Sequence, residues 1–190
     1  MTEANVSYED IRYEVRDHVA TITIDRPEVH NAFRGRTCEE LVTAFQRAGY
    51  ARDVGAIVLT GAGERAFCSG GDLGEFGARP DPAAAHRTRL AQSPARLLHA
   101  LRDRTIAHVH GSTLGGGIEM AAFAGRVVAD PATRIGLPEV GLGLIPGAGG
   151  TVSLTRRIGR QRTAALALAV DTIDAATAQA WGLVDEIRPD

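Results

Sequence analysis

The chain has 190 residues, which is enough for one domain with a substantial hydrophobic core. Its 44% hydrophobic and 23% charged content is typical of globular proteins, and the net charge of −2 gives no field that would attract nucleic acid or an anionic membrane surface. The sequence contains no lysine, which excludes a Schiff-base mechanism, and no apolar run approaches the roughly 20 residues that span a bilayer.

The N-terminal segment and the cysteines favour a cytoplasmic protein. Residues 1–10 are polar and acidic, without the basic and apolar stretches of a secretory signal. Cys38 and Cys68 lie far apart and form no CxxC motif, which is typical of a reduced compartment. We therefore expect a cytoplasmic location.

Hydrophobic runs along the chain have either the period of two typical of strands or the period of 3.6 typical of helices. In chain order they predict strands at Ile11–Val15 and Val19–Ile24, a helix at Cys38–Ala48, a strand at Ala56–Thr60, a glycine-rich loop at Gly61–Gly74, a helix at Pro82–Arg102 that Pro94 kinks or divides, a strand at Thr105–His110, a helix at Gly115–Ala124, a strand at Arg126–Asp130, helices at Gly147–Ile158, Arg162–Ala169 and Ala175–Trp181, and a strand at Leu183–Ile187. The alternation predicts an α/β fold, with residues 1–190 forming a single domain.

Three glycines, Gly115 to Gly117, separate a predicted strand from a predicted helix. The first N–H groups of a helix have no partner inside it, so this turn can bind an oxyanion or a phosphate. The sequence is neither GxGxxG nor a phosphate loop, which makes a nucleotide site a weak interpretation. The alternative is that the glycines only allow close packing of the helix on the strand.

A second glycine-rich turn, Ser69 to Leu73, follows the predicted strand at Ala56–Thr60 and would also expose a backbone N–H. Two such amides aimed at one carbonyl oxygen would form an oxyanion hole, in which each donor lowers the barrier by about 3–4 kcal/mol. The alternative is a turn in which Asp72 caps a helix.

Two glutamates accompany these turns. Glu119 lies in the first turn of an apolar helix, and Glu139 follows a proline in an apolar loop. Carboxyl groups in apolar surroundings are suited to general acid–base catalysis, although either residue could instead face solvent. His108 and His110 share one side of a strand without a third ligand at a fitting distance, so we expect no metal site.

Short motifs carry a further signal along most of the chain, from Val19 to Ile187. They are Arg26-Pro27 with Asn31-Ala32, Ala66-Phe67-Cys68-Ser69-Gly70-Gly71-Asp72, Gly111, Leu114-Gly115-Gly116-Gly117-Ile118-Glu119, Leu137-Pro138-Glu139, Ile145-Pro146-Gly147-Ala148-Gly149-Gly150-Thr151 and Ala180-Trp181-Gly182-Leu183-Val184. In these motifs the chain resembles the crotonase (enoyl-CoA hydratase/isomerase) superfamily. The resemblance implies a spiral of ββα units, shortened here by most of the usual C-terminal helical segment.

The resemblance also implies a catalytic site. The amides of Gly71 and Gly116 would hold the thioester oxygen of an acyl-CoA, Glu119 would activate the water that attacks Cβ, and Glu139 would act on the proton delivered to Cα. The coenzyme A part of the substrate would contact Ala66, Ser69, Gly71, Asp72, Leu73 and Gly116. No cofactor is expected besides this coenzyme A.

Because both glutamates are present, the resemblance favours an enoyl-CoA hydratase. An isomerase, a decarboxylase or a thioesterase for another acyl-CoA remains an alternative, as does a non-catalytic acyl-CoA-binding subunit. The resemblance further implies a homo-trimer or a hexamer, or a second subunit that completes the site.

Overall fold

The computed structural model describes residues 7–75, 93–169 and 171–188, which form two sheets surrounded by helices. The strands are β1 (Ile11–Arg16), β2 (Val19–Ile24), β3 (Ala56–Gly61), β4 (Ala66–Cys68), β5 (Thr105–Val109), β6 (Ser112–Leu114), β7 (Arg126–Ala129), β8 (Arg134–Gly136), β9 (Thr172–Asp174) and β10 (Glu186–Ile187). The helices are α1 (Gly35–Tyr50), α2 (Ala95–Ala100), α3 (Gly116–Ala121), α4 (Gly150–Ala169) and α5 (Ala175–Trp181).

The larger sheet has the order β1-β2-β3-β5-β7-β10. Its first two strands form an antiparallel pair, and the remaining neighbours are parallel. Alternate residues of β2 and β3 point into the core, so that Ile22 and Leu59, which are paired in register, are both fully buried. The predicted strands that correspond to β1, β2, β3, β5 and β7 are confirmed to within one residue at their ends, and the period of two in β2 and β3 reflects burial of one face.

The smaller sheet, in the order β4-β6-β8-β9, is absent from the sequence-based prediction. The predicted loop at Gly61–Gly74 is wrong in part, because it contains β4. Each of the four strands has three residues, which is too short for a periodic pattern to distinguish a strand from a loop.

Several helix boundaries differ from the prediction. Helix α1 extends beyond Cys38–Ala48 at both ends, and α3 ends at Ala121 instead of Ala124. The predicted helix at Pro82–Arg102 begins outside the described residues. Within them, α2 starts directly after Pro94, since proline favours a helix start over a helix interior.

The C-terminal elements also differ from the prediction. Helix α4 joins the two predicted helices but is interrupted by Gly159, whose φ of 78° lies in the left-handed region. The predicted strand at Leu183–Ile187 is reduced to β10, because Leu183 and Val184 follow the end of α5 and pack into the core instead.

The smaller sheet determines where the candidate site lies. Strands β4, β6 and β8 are parallel neighbours, and β4 and β6 are followed by the two glycine-rich turns. Strand β8 is followed by the loop that carries Glu139. Because the carboxyl ends of parallel strands meet at one edge, these three connections lie together. None of the described helices is long and apolar enough to cross a membrane.

Candidate active site

The amide of Gly71 is oriented by the neighbouring backbone. Phe33 N donates to Gly70 O at 2.9 Å, and Asp72 N donates to Phe33 O at 2.8 Å. Because N–H groups alternate in direction along extended chain, this parallel bridge turns the N–H of Gly71 away from Phe33. It meets no hydrogen-bond acceptor among the described residues, which leaves it available to a ligand.

The amide of Gly116 opens helix α3. Gly115 precedes it with a φ of 49°, a conformation that side chains disfavour. A Cβ atom built on Gly70 would lie only 3.4 Å from Gly116 N, so the two glycine-rich turns are in contact. The structure thus brings together the two turns that the sequence predicts to supply an oxyanion hole.

Glu119 is buried one helical turn further along α3 and is only 1% exposed. Its Oε2 accepts a hydrogen bond from Gly150 N at 2.5 Å. The pKa of Glu119 is raised to about 7, and burial is the largest cause. The bond from Gly150 opposes this shift, whereas Glu139 adds to it by charge repulsion and by hydrogen bonding to the Glu119 side chain.

Glu139 begins a short 3-10 turn (Glu139–Leu142) directly after Pro138. A Cβ atom built on Gly115 would lie 2.7 Å from its Oε1, which places the carboxyl group against the start of α3. Its Oε2 is buried and has no hydrogen-bond partner in the described part of the chain. A buried oxygen without a partner is costly, and a bound molecule that donates a hydrogen bond would satisfy it.

The carboxylate of Asp72 is occupied within the chain. It accepts hydrogen bonds from Gly74 N at 3.0 Å and from Arg26 Nη2 at 3.0 Å. These two bonds lower the pKa of Asp72, in that order of importance. The side chain therefore stabilises the turn, which agrees with the capping alternative and leaves the backbone of the turn for a ligand.

The other residues expected to contact coenzyme A have different surroundings. Ala66 is buried, and its carbonyl accepts a bond of 2.7 Å from Asn31 Nδ2. Ser69 N donates to His30 O at 3.0 Å, whereas Leu73 is 60% exposed. Their contacts with coenzyme A stay predictions.

Two supporting residues were not identified from the sequence as parts of the site. Gly150 donates to Glu119, and a Cβ atom there would lie 2.5 Å from Glu119 Cγ. The Gly149-Gly150 pair before a helix repeats the pattern of Gly115 to Gly117, and that signal could have revealed its role. Phe33, whose ring lies against Gly116, carried no comparable signal.

A separate cleft of about 240 Å³ lies at the carboxyl ends of β3, β5 and β7 and includes His108 and His110. His108 Nε2 is 2.8 Å from Asp130 Oδ1. No group of three or more His, Cys, Asp or Glu side chains within the described ranges is arranged to hold a metal ion.

Comparison with known proteins agrees with the geometry of the site. A family model for enoyl-CoA hydratase/isomerase matches residues 14–190. A Rhodobacter capsulatus protein named probable enoyl-CoA hydratase is 40% identical over 97% of this chain and 71% of its own length. A 2,3-dehydroadipyl-CoA hydratase of Escherichia coli is 37% identical over 92% of this chain and 67% of its own length.

Solved structures are similar to this chain over a comparable part of its length. Enoyl-CoA hydratase from Thermoplasma volcanium has a TM-score of 0.88 at 35% identity, with 95% of this chain and 72% of that chain covered. The chain spans 66% of a Bacillus subtilis relative, named as an enoyl-CoA hydratase/isomerase, to which it is 37% identical.

Proposed function

Because the chain belongs to the enoyl-CoA hydratase/isomerase family, we propose that it is an enoyl-CoA hydratase that adds water to the double bond of a 2-enoyl-CoA thioester. The observation that carries the proposal is the pair Glu119 and Glu139, whose carboxyl groups interact beside the start of α3, where the two glycine-rich turns meet. A hydratase needs both an acid and a base next to a polarised carbonyl group.

The two amides bind the thioester oxygen. The N–H groups of Gly71 and Gly116 donate to this oxygen and stabilise the negative charge that it acquires when the enolate forms. Since the charge is larger in the transition state than in the substrate, these bonds lower the barrier more than they strengthen binding.

The two glutamates exchange protons with the substrate and with water. Burial is the main cause that raises the pKa of Glu119 to about 7, and the nearby Glu139 adds to the shift, so Glu119 can hold or release a proton near neutral pH. In the proposed mechanism this proton passes to Glu139 before hydration, which leaves Glu119 ionised. Glu119 then accepts a proton from the attacking water as its oxygen bonds to Cβ, and Glu139 donates a proton to Cα.

The proposal is tested by incubating the chain with crotonyl-CoA and following the loss of the conjugated double bond. We expect conversion to 3-hydroxybutyryl-CoA. Formation of a 3-enoyl-CoA from a longer substrate, without hydration, would instead establish the isomerase. Tight binding of the thioester without turnover would establish a non-catalytic acyl-CoA-binding subunit.

We also propose that the chain acts as a homo-oligomer, a trimer or a hexamer. The segment after Glu139 and the start of α4 expose large apolar side chains, including Leu142, Ile145 and Val152, which are 55%, 78% and 45% exposed. Large apolar side chains exposed along one stretch of chain favour association. Light scattering measures the mass directly, and a monomer at assay concentration would contradict this proposal or require a second subunit.

A further inference from the structure

Phe33 contacts both turns of the proposed oxyanion hole. We propose that Phe33 is a positioning residue that sets the distance and angle between the amides of Gly71 and Gly116. The inference rests on the proposed function, because it concerns how the same two amides hold a thioester oxygen.

The backbone of Phe33 fixes the first turn. Its N–H and C=O bond to Gly70 O and Asp72 N, one residue on each side of Gly71. These two hydrogen bonds hold the peptide units before and after Gly71, and they direct its own N–H to the opposite side. The first donor of the hole is therefore held directly by Phe33.

The ring of Phe33 holds the second turn. A Cβ atom built on Gly116 would lie 2.5 Å from Phe33 Cε1 and 2.6 Å from Cζ, so the edge of the ring fills the space next to the Gly116 Cα. The methyl group of Ala148 lies 3.3 Å from the same Cβ position. Gly116 is thus confined between an aromatic ring and a methyl group.

This arrangement matters because Gly71 and Gly116 have no side chains that could fix the separation of their amides, and among the described residues the Asp72 side chain bonds only to Gly74 and Arg26. An oxyanion hole requires both donors about 2.7–3.1 Å from one oxygen, and a displacement of about 1 Å can reduce a rate roughly 100-fold. Phe33 is part of neither turn, yet it links them. Its ring is only half-buried, so its packing contributes less to the core than a fully buried aromatic residue such as Phe45.

The test compares F33A and F33L with wild type, and uses F45L as a matched control. Phe45 is fully buried in α1, so F45L lowers the thermal midpoint without removing a ring from the glycine turns. Two quantities are measured: steady-state hydration of crotonyl-CoA, and the carbonyl stretching frequency of bound ¹³C-labelled butyryl-CoA by infrared difference spectroscopy. Butyryl-CoA has no double bond to hydrate, so its carbonyl shift reports polarisation by the amides without turnover.

We expect wild type to lower the carbonyl frequency of bound butyryl-CoA. F33A should lose at least half of this shift and about 10-fold or more in kcat, with KM changed less than about 3-fold. F33L, which keeps an apolar side chain, should fall between F33A and wild type. F45L should retain the shift and kcat at temperatures below its midpoint.

The outcomes separate the two proposals. If wild type shifts the carbonyl but hydrates no enoyl-CoA, the hydratase proposal fails, and the infrared comparison still decides the role of Phe33. If F33L and any folded F33A keep the full shift, the positioning role is overturned, even if F33A lowers the thermal midpoint. A wild-type protein that leaves the carbonyl unshifted, or that does not bind butyryl-CoA, also overturns it.

Discussion

Gly150 donates its backbone N–H to Glu119 Oε2 at 2.5 Å, and the carboxyl group occupies the space that a side chain at position 150 would need. The start of α4 therefore holds a carboxyl group that projects from α3. Only glycine allows this approach, since a Cβ atom would lie 2.5 Å from Glu119 Cγ.

G150A should displace the Glu119 side chain and lose both stability and activity. Overpacking at a buried position costs about 1–3 kcal/mol, and chemical denaturation measures the change in the free energy of unfolding. G55A is the matched control, because a Cβ atom at Gly55 would meet its first neighbour at an ordinary 3.8 Å. Equal losses for the two variants would contradict the steric argument.

E119Q and E139Q should each lower kcat for hydration by about 100- to 10,000-fold, which is the range for loss of a general acid or base. Glutamine preserves the size of the side chain, so both variants should remain folded, as circular dichroism can verify. The hydratase mechanism requires both residues. Isomerisation that survives E119Q but is abolished by E139Q would favour the isomerase.

The free energy of unfolding should decrease as the pH rises from about 4.5 to about 7. Glu119 has a folded pKa of about 7 against the ordinary glutamate pKa of 4.5, so the folded state retains a proton that the unfolded state has released. This contribution, on the order of 1–3 kcal/mol, is fully present below the unfolded pKa and lost above the folded one. Urea denaturation at several pH values measures it.

E119Q is the control for this pH dependence, since glutamine does not titrate. The decrease between pH 4.5 and 7 should be smaller in E119Q than in wild type. Parallel stability curves for the two proteins would show that Glu119 does not carry the proton.

R26A should cost about 3 kcal/mol or more, because Arg26 is only 11% exposed and pairs with Asp72 at 3.0 Å. Removing it leaves the Asp72 carboxylate without its cationic partner and with the hydrogen bond from Gly74 N. R12A is the control, since Arg12 pairs with Asp25 at the same 3.0 Å but is 55% exposed, and its loss should cost less than about 1 kcal/mol. Thermal or urea denaturation distinguishes the two, and similar losses would show that burial of the pair is unimportant.

The larger sheet could be predicted from the sequence, whereas the smaller one could not. Strands such as Val19–Ile24 and Ala56–Gly61 bury alternate residues, and this leaves a period of two in the sequence. The three-residue strands β4, β6 and β8 leave no period, although they position the site. The motifs at the strand ends nevertheless indicate the crotonase fold, and similarity to solved structures confirms it.

Some features of the candidate site could likewise be predicted from the sequence, whereas others could not. Glycine-rich turns and carboxylates could be recognised because their residue types are unusual in those positions. The contact of Phe33 with Gly116, or of Gly150 with Glu119, depends on how distant segments pack, and no local pattern records it. The roles assigned to Gly71, Gly116, Glu119 and Glu139 stay predictions until the variants are measured.

The three parallel strands that end at the site have a consequence for engineering. Gly71, Gly116 and Glu139 are each attached to a different strand of one small sheet, so a shift in any of these strands moves one reacting group relative to the others. Libraries intended to change acyl preference should therefore leave Ala66–Cys68, Ser112–Leu114 and Arg134–Gly136 untouched.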